Sequence, residues 1–346
     1  MMSTAVRRIV LFLAFALFLA HSSLAQVPSD YANGLASFRA GNYADAAEFF
    51  RKAEAAAPGT TDALVLAAKA LVHLEKYVEA DAALRTYLAK QSDSPDALYL
   101  LGYVLNRENR PADSLEVYTK AAAKQPPSGD DLKIVGLDYI LLNDYPSAIH
   151  WLERAVELDP RNSEALYFLG RAYYTRSRIS EAKAAFEKAL QLNPKDAKAE
   201  NNLGLVLESE AHPAEAIDAF KQAIAWQQAS PKRSEQPYLN LGGVLLDEGR
   251  NEEALPVLEE AAKLAPANSL CRLKLGIVYL RLSKLERARS ELEEAARLDG
   301  ENAAIHFQLG KLYKQMHMID RAQKEFQRAQ EIQSRAAAVA APKPNH

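Results

Sequence analysis

Apolar positions along residues 27–336 return in paired stripes at helical spacing. Leu166, Leu169, Gly170 and Tyr173 fall at i, i+3, i+4 and i+7, one face of a helix, and Ala182, Phe186 and Ala189 make a second stripe after a polar break. The pattern predicts pairs of short amphipathic helices, each pair a hairpin. The pairs recur. Glycines stand at 34, 102, 136, 170, 204, 242, 276 and 310, with Ala68 in the second place. The period is 34 residues, broken only by 38 between Gly204 and Gly242. Twelve residues after each glycine position comes a small residue, among them Ala46, Ser114, Ala182 and Ala288. Four further on comes a bulky one, among them Phe50, Tyr118, Leu152, Phe186 and Phe326. A residue without a side chain lets a partner helix approach, and the bulky residue fills what remains, so the hairpin packs small against large.

The expected helix ends agree with this division. Asp93-Ser94-Pro95 offers a capping side chain and a proline at the first helical position, and Asn193-Pro194-Lys195-Asp196 and Asn162-Ser163 stop one helix and start the next. Pro111, Pro146 and Pro213 fall in the first turns of second helices, where a missing N–H costs little. Pro256 lies a turn deeper, where it should bend its helix.

This unit resembles the tetratricopeptide repeat, whose length is the same. The resemblance covers residues 27–336 as nine units, most carrying the Leu-Gly pair, the alanine, the aromatic or leucine, and the closing proline. It implies an all-α, right-handed superhelical solenoid of nine antiparallel helix-turn-helix hairpins. First helices would line its concave face and bind peptide or protein segments there. Four extra residues sit near 228–237, read as a surface insertion, and residues 337–346 read as a flexible tail.

On that face the inward stripe of the third unit holds Tyr99, Tyr103 and Asn106 with Arg107 adjoining. The fifth holds Tyr167, Arg171 and Tyr174, and the sixth Asn201. Tyrosine and arginine are enriched at interface hot spots, so these residues make a candidate partner groove. The plainer reading is that the bulky ones wedge neighbouring first helices apart. Asn202 and Asn240 stand just before Leu-Gly, where members of the family hold an extended backbone. Lys274, Arg281, Lys311 and Lys314 give the C-terminal part a basic character suited to an acidic partner. The carboxylate clamp of chaperone-binding relatives is not assembled, since its expected positions hold residues such as Leu137 and Phe168.

Composition narrows the function. A formal charge of −3 with intermixed signs gives no footprint for nucleic acid. No phosphate loop, Cys-x-x-Cys or zinc-spaced histidine pair occurs, and nothing singles out a catalytic acid and base. The expectation is therefore a scaffold without enzymatic activity, cofactor or metal. Arg7 and Arg8, the apolar run Ile9–Ala20, and Ser23-Leu24-Ala25 read as an export signal expected to be cleaved after Ala25, with an uncleaved membrane anchor as the alternative. The expectation is a chain in the periplasm or outside the cell, with no membrane insertion once the segment is removed. An accessory role in envelope polysaccharide export or synthesis is the alternative function. Cys271, the one cysteine, leaves no internal disulfide and reads as a small buried residue.

Overall fold

The computed structural model describes residues 29–59 and 62–340, with side chains to 337, and these are helices joined by turns with no strand among them. The helices are α1 over 29–39, α2 (Tyr43–Ala56), α3 (Ala63–His73), α4 (Tyr77–Leu88), α5 (Pro95–Arg107), α6 (Pro111–Ala122), α7 (Gly129–Leu141), α8 (Tyr145–Leu158) and α9 (Ser163–Thr175). There follow α10 (Ile179–Leu192), α11 (Ala197–Ser209), α12 (Pro213–Gln227), α13 (Gln236–Asp247), α14 (Asn251–Leu264), α15 (Ser269–Arg281), α16 (Leu285–Leu298), α17 (Ala303–Gln315) and α18 (Ile319–Ala340). Odd-numbered helices are the first and even-numbered the second of nine hairpins. The chain forms two compact units, one through Ala172 and one from Tyr173. Within each unit a first helix packs on its own second helix and beside the next first helix.

The glycine position explains the packing. A Cβ placed on Gly102 would lie 2.5 Å from the Tyr118 ring, on Gly204 2.5 Å from Phe220, and on Gly34 2.7 Å from Phe50. In each case the neighbour is the bulky residue sixteen positions on, as the small-against-large spacing requires. Phe50, Phe220, Leu258 and Leu292 are fully buried there, and burying one such side chain contributes roughly 1.5–3 kcal/mol.

A second periodic feature lies in the turns. Seven residues after every glycine position the backbone is left-handed: Gly41, Glu75, Asn109, Asn143, Ser177, Ala211, Gly249, Ser283 and His317, with φ between 56° and 78°. The next N–H then bonds the carbonyl five residues back, as in Lys76 to Leu71, Asp144 to Tyr139 and Arg250 to Leu245. This is a Schellman closure, and it satisfies carbonyls that a helix end leaves without partners. It turns the chain sharply into the second helix.

Several expectations about the ends change. Ser94 stands before Pro95 but its side chain makes no capping hydrogen bond, whereas Asp196, Asn268 and Asn302 do cap their helices. The strongest cap, a reciprocal Ser128–Asp131 box, joins hairpins three and four. α14 passes through Pro256 without a break. The tail expected from 337 begins inside α18, because Ala336-Ala337-Ala338 favours continued helix. The insertion after α12 is pinned: Gln227, 7% exposed, donates to the Ser234 carbonyl and accepts from the Ser234 N–H, each at 2.9 Å. Cys271 is buried in the core, and that burial pushes its thiol up to about 11. The export segment lies outside the described residues.

Candidate functional site

In the first unit the face made by the first helices is partly closed by its own side chains. Tyr99 is a correction to the groove. It is 8% exposed, packs against Tyr118, and donates to the Gln125 carbonyl at 2.5 Å. Three residues before a glycine, a side chain points toward the following hairpin. Tyr31 at that position reaches Asp62 at 2.6 Å, and Lys133 reaches Glu164 at 2.7 Å. Burial opposes the Lys133 charge, but Glu164 and Asp130 hold its pKa above the usual lysine value. Tyr103 is half-buried, and burial pushes its phenol up while Arg107 opposes that shift. Arg107 is exposed, donates to the Tyr77 hydroxyl at 3.1 Å and lies 5.2 Å from the Tyr77 ring centre. Arg171, also exposed, lies 5.8 Å from the Tyr167 ring and 5.9 Å from that of Phe168. Two arginine–aromatic pairs thus remain accessible in this unit.

Asn106 is a second correction, because it turns inward. Its amide donates to Asp138 at 2.8 Å, and the Ser114 hydroxyl sits 2.6 Å from the other Asp138 oxygen. Both Ser114 and Asp138 have 0% exposure. Ser114 Oγ also lies 2.8 Å from the Gly102 carbonyl, so one hydroxyl hydrogen faces two acceptors. Ser114 donates to the ionised Asp138 carboxylate; when Asp138 is protonated it donates to Ser114, and Ser114 donates to Gly102. Burial pushes the Asp138 carboxyl up to about 6, against the pull of the Ser114 and Asn106 hydrogen bonds. The sequence reading missed Asp138. Its signal was present, since the residue two after a glycine position is otherwise apolar, as at Val104, Val206, Val244, Val278 and Leu312.

The second unit holds fewer open groove residues. Tyr174 lies 3.1 Å from the Ser209 hydroxyl. Asn201 is 7% exposed and accepts from Asn240 at 2.9 Å, so each occupies the other. Asn202 donates back to the Lys198 carbonyl of its own helix at 2.8 Å. The basic residues differ in their surroundings. The Lys274 ammonium lies against Gly243, where a Cβ would come within 2.8 Å of it, and its charge reaches Glu208. The Glu208 carboxyl is pushed up by burial and by Asp247, with Lys274 opposing. Arg281 donates to the Leu246 carbonyl, covering the C-terminus of α13. Lys311 and Lys314 remain exposed on α17, Lys311 lying 5.8 Å from the Phe307 ring centre.

Sequence profiles settle the family. One tetratricopeptide repeat profile matches residues 37–104, 139–201 and 245–295, more than half of the chain, and a second matches 273–336. The chain belongs to the tetratricopeptide repeat family. No curated protein matches it in sequence. Among solved structures it is similar to the Cut9–Hcn1 hetero-tetramer of the APC/C, at 17% identity and a TM-score of 0.57, covering 82% of this chain. It spans 56% of that chain's length. A tetratricopeptide repeat protein from Parabacteroides merdae aligns at 20% identity and a TM-score of 0.55, covering 72% of this chain and 96% of its own. PilF from Pseudomonas aeruginosa aligns at 21% identity and a TM-score of 0.54, covering 61% and 94%. At these identities the likeness concerns the tetratricopeptide fold. No described helix is long and apolar enough to cross a membrane.

Proposed function

We propose that this tetratricopeptide protein is a non-catalytic adaptor that holds a peptide or protein segment against its first helices. The observation that carries the reading is the accessible pairing of arginine with aromatic rings in the first unit. Arg107 over Tyr77, beside half-buried Tyr103, and Arg171 over Tyr167 offer charge, donors and flat apolar area together. Such groups dominate binding energy when a partner desolvates them. Tyr99, Asn106, Asn201 and Asn240 belong to the supporting packing beneath, each held by a neighbour within the array. The N-terminal basic and apolar segment supports a reading of this adaptor as exported to the cell envelope or beyond, after cleavage following Ala25.

Photoreactive groups at positions 103 and 171, irradiated in envelope extract and followed by mass spectrometry, identify the bound segment. With the photoreactive group at position 103 alone, replacing Arg107 and Arg171 together by alanine should weaken that capture at least roughly tenfold. Undiminished capture by the double variant removes the groove.

A further inference from the structure

Among the described residues, the ninth hairpin leaves open a face that is covered in earlier hairpins. Three residues before the glycine position stand Val65, Tyr99, Asn201, Leu239 and Leu273, all between 2% and 8% exposed. Phe307 holds the same position in the ninth hairpin and is 49% exposed. One residue after the glycine position, Gly243 lies beneath the Lys274 side chain of the next first helix. Four residues after it, Phe38 meets His73 at 5.6 Å between ring centres, and Tyr174 meets Ser209 at 3.1 Å. In the ninth hairpin these last two positions are Lys311 and Lys314. Neither has a carboxylate partner among the described residues.

We propose that the open face of α17, made by Phe307, Lys311 and Lys314, docks an acidic amphipathic helix of a partner protein in the place of a further first helix. The earlier junctions supply the template. A following first helix lays apolar side chains on the position of Phe307 and, in two junctions, presents an acid to it, as Asp62 does to Tyr31 and Glu164 to Lys133. Two unpaired ammonium groups beside an exposed ring select a helix with carboxylates flanking an apolar stripe. The sequence of residues 341–346, with Pro342, Lys343 and Pro344 and no acid, is not that of such a helix. α18 touches Phe307 with the Phe326 ring, 5.7 Å between centres, but leaves Phe307 49% exposed. Its buried Ala322 and Ala329 look toward the hairpin core, while its Arg328 and Arg335 pair with Glu301. This surface uses none of the groove residues proposed above, and its test is independent of that groove.

The test uses the purified full chain and two labelled helical peptides of about 20 residues, long enough to hold a helix. One carries leucines at three- and four-residue spacing flanked by glutamates, and the other has lysines in place of every glutamate. The acidic peptide should bind with a salt-dependent affinity, and the basic peptide should not. Charge reversal in Lys311→Glu/Lys314→Glu, or removal of the ring in Phe307→Ala, should weaken binding roughly tenfold or more. Arg107→Ala/Arg171→Ala should leave it unchanged, which separates this surface from the groove. Circular dichroism establishes that the exposed-site variants stay helical. Failure of the acidic peptide to bind, equal binding of both peptides, or indifference to the α17 variants overturns the proposal. So does sedimentation showing a self-associated chain that Phe307→Ala dissociates, because a second copy would then occupy the face.

Discussion

The junction between hairpins three and four and that between hairpins seven and eight occupy the same repeat positions with opposite chemistry. In the first, Ser114 and Asp138 meet in the core and Asn106 closes the network. In the second, the corresponding residues are Ala254 and Val278, both with 0% exposure. Both junctions close their first helices with the same left-handed turn, although residues 123–128 connect the first and 265–268 the second, so the comparison bears chiefly on what a buried carboxyl does to a hairpin stack. An apolar junction is stabilised by transfer and close packing. The polar junction must instead satisfy every donor and acceptor, and it couples stacking to a proton. Two adjacent departures from an apolar pattern that face each other carry a shared meaning that neither carries alone.

Moving the carboxyl without its network should produce the largest effect. Val278→Asp places a carboxylate opposite Ala254, with no hydroxyl to receive it, and should cost about 3–5 kcal/mol at neutral pH. Adding Ala254→Ser should recover about 1 kcal/mol through one hydrogen bond. Urea unfolding of the two variants measures both numbers. A Val278→Asp chain as stable as the parent would show that this core admits water, and the contrast between the junctions would collapse.

The native carboxyl should make the first unit sensitive to pH. The Asp138 pKa rises on folding from 3.8 to about 6, so the folded state binds the proton more tightly. The associated stability is complete below the unfolded value and is lost as pH rises through the folded one. Over that window the change is of order 3 kcal/mol at 1.36 kcal/mol per unit. Tyr118 on α6 is the ionisable neighbour across the interface, and burial drives its phenol up, so it stays neutral throughout. Asp138→Asn keeps the hydrogen bonds and removes the titration. Denaturation midpoints at about pH 4 and about pH 7 should therefore differ less for the variant than for the parent. Identical pH profiles would mean that Asp138 is already ionised when folded.

Much of the fold was legible because one packing rule recurs. The glycine and the bulky residue sixteen positions later report the same contact in hairpin after hairpin, at Gly34–Phe50, Gly136–Leu152 and Gly310–Phe326. The candidate site was less legible, since a stripe assigns a direction on one helix and not the neighbour that covers it. Tyr99 and Phe307 share a repeat position, yet one is buried and the other half exposed because only the first has a hairpin over it. Asn106 belonged to the chosen stripe, and its partner Asp138 lies 32 residues away on the next first helix. The left-handed turn escaped for another reason: only two of its nine positions, Gly41 and Gly249, hold the residue that announces it.

That turn gives the finest comparison of the two regions, with packing removed. Asn109 ends α5 in the polar junction's hairpin and Ser283 ends α15 in the apolar one, at φ 59° and 56°, both exposed. Asparagine tolerates the left-handed region better than most residues with a Cβ, and serine less well. Glycine removes the steric strain at either site but adds conformational freedom to the unfolded chain, and these terms oppose each other. For Ser283→Gly the relieved strain should win, raising stability by about 0.5 kcal/mol. For Asn109→Gly the terms should cancel to within about 0.3 kcal/mol, because less strain is there to relieve. Neither side chain is buried, so no cavity confuses the measurement, and thermal unfolding of the two single variants reads the difference directly. Equal gains at both sites would show that the asparagine draws no local advantage from its amide, and that the strain of the turn is set by its backbone alone.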